Sequence, residues 1–556
     1  MFADQLFADQ LFADQMLSDQ KFKDQQCTDQ QFIDATLITP DGVNLVARIW
    51  TPQGAGPWPT LLMRQPYGRA IASTVTLPHP LWWTDQGFAV VVQDVRGQGS
   101  SEGTFQGFGQ EALDTAATLT WLRERPECNG RIGLYGLSYQ GLTQLLAPAD
   151  CQAPDCLAPA MCGLAEREDW SCEGGAHWWH LGLGWGLQLA ALQAKRRNDS
   201  GAWNEIYSAL VEGRYLREGV ELLERHDPQG MALRWLRQPA DQDERWILHR
   251  PAQTWLQKPM LLIGGWWDPH LRGLLDLLQT ARSSGGNPEL HIGPATHLQW
   301  WPETTPLLLD FFNQHLKHPP TPSQDKTTAI RLWDLGDRTW SGQSGNECSK
   351  ACWHLHSNGL ACLDPTDGQL LDATLPGSGT CVIVHDPWRP APAVGGHLSP
   401  TAGPCDRKIV DQRSDVAVFS SEPLKTAVQL CGRPLLKLKV SADQPAFDLC
   451  AALSKLPADC DEVQQISTGV LRVRRDFDEP SSPITLELQP LLVSFQPGDR
   501  LRLSLAGAAW PAIAVNPGDG DQRFGPPTSD CRVITLCLQL DGATLQMAPL
   551  LVPQAG

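Results

Sequence analysis

The sequence predicts an α/β domain on a parallel sheet, interrupted by a helical insertion and followed by a β-sandwich. Three observations carry this. Thr60-Leu-Leu-Met-Arg64, Phe88-Ala-Val-Val-Val-Gln93 and Pro259-Met-Leu-Leu-Ile-Gly264 are short continuous apolar runs, as strands covered on both faces require. Helical-period stretches lie between such runs, as at 112–125, which is the alternation of a doubly wound sheet. From about residue 325 the hydrophobic period becomes two, as in Leu435-Leu-Lys-Leu-Lys-Val440 and Leu501-Arg-Leu-Ser-Leu505, with Pro, Gly and Asp between the runs.

The elements follow in order. Residues 1–34 repeat a degenerating pentapeptide, Met1-Phe-Ala-Asp-Gln, whose period of five matches neither 3.6 nor 2, so they read as a low-complexity tail. Residues 36–50 read as a hairpin turning at Asp41-Gly42. The α/β domain occupies 35–148 and 250–320. Between its halves, 149–249 is rich in tryptophan and helical-period apolar residues and reads as a cap over the sheet. Pro319-Pro-Thr-Pro322 is a linker, and 325–556 is the sandwich.

The reactive residues sit where strands end. In Arg131-Ile-Gly-Leu-Tyr-Gly-Leu-Ser-Tyr-Gln-Gly141 an apolar strand runs into a glycine-flanked serine, Ser138, with a helical stretch from 142 to 149 after it. Strand, sharp turn and helix are the context of a nucleophile elbow, although Gln140 stands where G-x-S-x-G has its second glycine and Gly141 comes one residue later. Asp268 ends the strand at 259–267, and His297 ends Glu289-Leu-His-Ile-Gly-Pro-Ala-Thr296. Serine, acid, histidine is the order in which such a fold supplies an acyl-transfer triad, at the sheet edge where α/β proteins collect reactive groups. His270 and His291 are rivals for the base; His270 comes early and His291 lies within its strand.

These residues and several others resemble the cocaine-esterase-like and X-prolyl dipeptidyl-peptidase superfamily of serine hydrolases. The matching segments include Arg64-Gln-Pro-Tyr-Gly68, Val90 to Gly103, Gly136-Leu-Ser-Tyr-Gln-Gly141, Gly265-Trp-Trp-Asp268, Gly293-Pro-Ala-Thr-His297, Asp386 to Gly396, Ser414 to Leu424 and Trp510 to Pro517. The resemblance implies an α/β-hydrolase fold with an inserted helical cap and a C-terminal jelly-roll. It implies hydrolysis of a small-molecule ester or amide through an acyl-enzyme, with no metal or organic cofactor. It also implies an oxyanion hole made by the Tyr67 hydroxyl and the backbone N–H of Tyr139.

Composition agrees. A net charge of −18 opposes binding to nucleic acid or an anionic membrane, and no apolar stretch reaches the ~18 residues that span a bilayer. The 16 cysteines show no C-x-x-C pair, and the N-terminus lacks a secretory pattern, so a cytoplasmic protein with reduced thiols is expected; a homo-oligomer is left open. Cys348, Cys352, His354 and His356 have ligand types for zinc but a tighter spacing than the usual two pairs, and no metal site is expected there.

The substrate is less legible. Trp178, Trp179 and Trp267 are the candidates for an aromatic acyl pocket. Asp268 is followed by Pro269-His-Leu-Arg272, which offers no carboxylate to an ammonium, so a small uncharged acyl group is expected. The alternatives are an X-prolyl dipeptidyl peptidase or α-amino acid ester hydrolase, served by Glu166, Glu168, Asp169 or Glu173 of the cap, and an inactive scaffold that only binds.

Overall fold

The computed structural model describes residues 32–69, 76–239, 243–318, 330–343, 351–375, 377–474, 483–520 and 525–551. The expected tail of 1–34 ends sooner than predicted: Phe32, Ile33 and Asp34 already belong to the first strand, where Asp34 accepts from Arg48 at 2.8 Å, and residues 1–31 lie outside the described residues.

The N-terminal sheet is built from β1 (Phe32–Ile38), β2 (Asn44–Trp50), β3 (Trp58–Gln65), β4 (Ala89–Asp94), β5 (Cys128–Leu137) and β6 (Cys156–Ala160). The cap then contributes a two-residue pair, β7 (Cys172–Glu173) and β8 (Ala176–His177), before the sheet resumes with β9 (Leu261–Trp267), β10 (Glu289–Thr296), β11 (Ile330–Asp334) and β12 (Thr339–Gln343). The order is β1-β2-β4-β3-β5-β6-β9-β10-β11-β12. From β4 to β11 neighbours run parallel, while β1, β2 and β12 are antiparallel at the edges. All six residues of β4 and all five of β6 are buried, because helices cover both faces. The hairpin turns at Gly42, whose φ of +84° a glycine adopts without strain.

Two expected boundaries shift. β6 belongs to the sheet, so the inserted helices follow residue 160 rather than 149. Their main members are His180–Arg196, Ser200–Val211, Tyr215–His226 and Met231–Arg237, which enclose their own apolar core. β11 and β12 extend the first sheet, so 325 is not where the sandwich starts. Ile330–Asp334 alternates buried with more exposed residues, as a strand covered on one face does, and this pattern is the same in a sandwich. The helix expected over 142–149 is only Tyr139–Thr143, after which the chain turns towards β6.

The C-terminal sheet has eleven strands, from Cys352–His356 to Ile534–Ala548, and their inward residues share one apolar core. Among the described residues of this domain Trp388 is the only exposed large aromatic.

Candidate active site

The parallel strands bring three chain ends to one edge. β5 delivers Ser138, β9 delivers Asp268 and β10 delivers His297, with β6 between β5 and β9. Ser138 has φ 58° and ψ −126°, a conformation that costs a non-glycine residue about 1–3 kcal/mol and is held by its surroundings. Its N–H donates to the Ala160 carbonyl at 3.0 Å, and its own carbonyl accepts from Gly141 and Leu142 at 2.8 and 3.0 Å.

Local packing explains the spelling of the elbow. A Cβ on Gly136 would come 2.4 Å from Gln140 Cβ, and one on Gly141 would come 2.7 Å from the Ala160 carbonyl. The close approach to β6 therefore falls at 141. Position 140 instead carries a buried glutamine whose Nε2 donates to Gln65 Oε1 at 2.9 Å.

His297 Nδ1 lies 2.6 Å from Asp268 Oδ2, and Asp268 is fully buried. The other carboxylate oxygen accepts the His270 N–H at 2.8 Å, and the Asp268 carbonyl accepts Gln489 Nε2, from the sandwich, at 2.9 Å. The carboxylate is thus fixed from both sides and orients the imidazole. Among the described residues Ser138 Oγ makes no hydrogen bond to the ring; such bonds often tighten only around substrate.

Tyr139 is the first residue of its short helix. Its phenol points away from the edge and donates to Glu111 Oε1 at 2.8 Å; Glu111 in turn pairs with Arg64 at 2.9 Å, all three being buried. Its backbone N–H is among those that a helix start leaves unpaired. Tyr67 Oη accepts from Trp185 Nε1 at 3.2 Å. That leaves the Tyr67 O–H as a donor, and burial pushes its pKa to about 12, so it stays protonated. Trp185, on the cap helix His180–Arg196, was not singled out from the sequence; nothing local marks it, because its partner is 118 residues away.

The tryptophan candidates separate. Trp178 is 3% exposed, packs with Leu398 and Ala512 of the sandwich, and has its ring 5.7 Å from that of His270. Trp267 is half-buried, and among the described residues its Nε1 has no partner. Trp179 sits elsewhere than an open pocket. It is fully buried in the cap core and its Nε1 donates to the Leu216 carbonyl, because the helix start at His180 turns its ring among Leu183, Ile206 and Leu223.

The cap acids are engaged. Glu166 binds His249 Nε2 at 3.0 Å and Trp235 Nε1 at 2.9 Å; Glu168 lies 3.3 Å from Arg167; Asp169 accepts the Ala165 N–H at 2.8 Å; Glu173 binds His397 and faces Arg272 at 3.9 Å. Among the described residues no group of three or more metal-ligating side chains occurs; His354 hydrogen-bonds Thr374, and Cys348 lies outside the described residues. No described helix is long and apolar enough to cross a membrane.

Comparison with known proteins agrees with this architecture. Residues 41–299 match the family model of the X-Pro dipeptidyl-peptidase (S15 family), and residues 301–537 match that of the X-Pro dipeptidyl-peptidase C-terminal non-catalytic domain. The chain is 26% identical over 525 residues to a cocaine esterase from Rhodococcus sp. (strain MB1 Bresler), covering 86% of this chain and 91% of the esterase. Two solved structures share the fold. An aminopeptidase from a marine sediment Thaumarchaeota archaeon gives a TM-score of 0.69 at 19% identity, covering 94% of this chain and 98% of the other. An α-amino acid ester hydrolase gives a TM-score of 0.65 at 19% identity, covering 94% and 97%.

Proposed function

The chain belongs to the cocaine-esterase-like and X-prolyl dipeptidyl-peptidase superfamily of serine hydrolases, and from that premise we propose that Ser138, His297 and Asp268 cleave the ester of a small, uncharged acyl group. His297 Nε2 takes the Ser138 proton as Oγ attacks the carbonyl carbon. Asp268 holds the Nδ1–H tautomer and stabilises the imidazolium. The Tyr139 N–H and the Tyr67 O–H receive the oxyanion, and the imidazolium then protonates the leaving alkoxide. Water, activated by the neutral imidazole, hydrolyses the acyl-enzyme and regenerates Ser138.

The observation that carries the reading is the 2.6 Å His297–Asp268 pair at the strand edge that also bears the strained Ser138. A fluorophosphonate probe tests it: it should label Ser138, and the absence of any label would favour the binding scaffold. The preference for an uncharged acyl group is supported by the pairing of Glu166 with His249, of Glu168 with Arg167 and of Glu173 with His397. An ammonium left without a counter-charge in a desolvated cleft costs several kcal/mol. Relative to uncatalysed rates, p-nitrophenyl butyrate should therefore exceed glycyl-proline p-nitroanilide in kcat/KM; the reverse order would make the chain an X-prolyl dipeptidyl peptidase. A cytoplasmic setting completes the proposal, supported by the unpaired thiols of Cys128, Cys156, Cys162 and Cys172.

A further inference from the structure

An arc of rings joins Tyr67 to His297. Trp185 binds Tyr67 and its ring lies 5.9 Å from Trp170; Trp170 is 4.5 Å from His270; His270 is 5.0 Å from His297. Most polar atoms of the arc are already used. Trp185 Nε1 donates to Tyr67, Trp170 Nε1 donates to the Gly163 carbonyl at 3.0 Å, and His297 Nδ1 binds Asp268. Tyr67 O–H and His297 Nε2 are assigned to the oxyanion and the proton transfer.

One atom is left over. His270 Nδ1 lies 2.6 Å from the Asp169 carbonyl, and since a carbonyl only accepts, Nδ1 carries the proton. Burial pulls the pKa of this imidazole down to about 4, although Asp268 opposes the shift, so the ring is neutral at physiological pH. Its Nε2 is therefore a lone-pair acceptor. Among the described residues Nε2 has no partner, and His270 keeps 4% exposure. A neutral acceptor beside the catalytic imidazole, still open to solvent, suits a substrate donor near the scissile carbonyl.

We propose that His270 Nε2 accepts a hydrogen bond from a hydroxyl on the acyl group, so that this chain selects hydroxyacyl esters over their unsubstituted counterparts. The proposal rests on the roles given above to Ser138 and His297. A hydroxyl is favoured over an ammonium because the neutral imidazole supplies no counter-charge and Glu166 and Glu173 of the cap are taken up by His249 and His397.

Methyl phenylacetate, methyl mandelate and methyl phenylglycinate carry a hydrogen, a hydroxyl and an amino group at the carbon beside the carbonyl, and so form the test series. Each kcat/KM, measured at one near-neutral pH, is divided by the ester's hydroxide-catalysed rate. The wild-type protein should favour mandelate over phenylacetate by about tenfold, the worth of one hydrogen bond. His270→Phe should bring that ratio to about one, and His270→Gln, which keeps an acceptor, should restore part of it. A wild-type ratio of one, a lead for phenylglycinate, or an unchanged ratio in His270→Phe would overturn the proposal. The wild-type comparison decides even if neither variant folds. Labelling of Ser138 together with cleavage of phenylacetate reports on the nucleophile separately, so a protein that labels and cleaves but ignores the hydroxyl overturns this inference alone.

Discussion

At Ser138 the backbone leaves the strand at a positive φ and starts the short helix of Tyr139 at once, the geometry that a nucleophile elbow uses to lift a hydroxyl out of a sheet. Ser138→Ala should keep the thermal midpoint of the wild type and abolish hydrolysis; a retained acyl burst in that variant would move the nucleophile elsewhere. Tyr67→Phe removes the O–H and the acceptor for Trp185 but keeps the ring. It should lower kcat by about 10²–10³ with little change in KM, the usual loss for one oxyanion donor. Equal kcat for the two proteins would place the second donor elsewhere. The strand-end residues were legible because each is encoded by its own few neighbours, an apolar run followed by a turn. Trp185 and His270 were not. The first acts through a contact between cap and sheet, and the second comes too early in the chain to read as the base, although folding brings its ring to within 5.0 Å of His297.

Elements are joined at this edge by positions that tolerate no side chain. Gly136→Ala would place a Cβ 2.4 Å from Gln140 Cβ at a φ of +139°. It should cost at least about 1–3 kcal/mol in urea unfolding and reduce fluorophosphonate labelling. Wild-type labelling would mean that the elbow relaxes at no expense. Between sheet and cap, Asp169 is wedged so that a Cβ on Gly163 or Gly273 would lie within 2.5 Å of its carboxyl. Burial raises its pKa from 3.8 to about 7. The folded state therefore holds a proton that the unfolded chain has lost between these values. The contribution of this one carboxyl to stability is fully present below pH about 4, falls as pH rises, and is lost above about 7, on the order of 4 kcal/mol in all. Asp169→Asn, which can still accept the Ala165 N–H, should flatten that part of the pH–stability curve; an unchanged slope would assign it to another group. The sheet strands were readable from their apolar runs. β11 is hard to place from the sequence because a strand covered on one face alternates like any sandwich strand, and only its pairing with β10 distinguishes the two.

Across the whole molecule the sandwich braces the loop that carries the acid. Gln489 Nε2 donates to the Asp268 carbonyl, the Arg272 guanidinium donates to the Glu487 carbonyl at 2.9 Å, and Arg433 reaches Asp276 at 3.3 Å. Each contact joins the helix after β9, or the turn into it, to a domain that begins after the sheet is complete. The sandwich is thus bonded directly to the backbone of the residue that pairs with His297. Gln489 is 2% exposed, so its replacement by leucine would leave the Asp268 carbonyl without this donor, in a place where water does not readily substitute. The expected stability loss is about 1–3 kcal/mol. If Gln489 only stabilised the domain contact, kcat at a temperature well below unfolding would not change. If it positions the acid, kcat should fall while KM stays close to the wild-type value, since no substrate contact is removed. Leu453→Ala supplies the comparison. Leu453 is fully buried in the sandwich core, and its truncation should cost about 2–5 kcal/mol without touching the Asp268 loop. A lower kcat in Gln489→Leu beside an unchanged kcat in Leu453→Ala is the expected pair of results. Parallel behaviour of the two variants would reduce the sandwich to a stabilising partner of the hydrolase sheet.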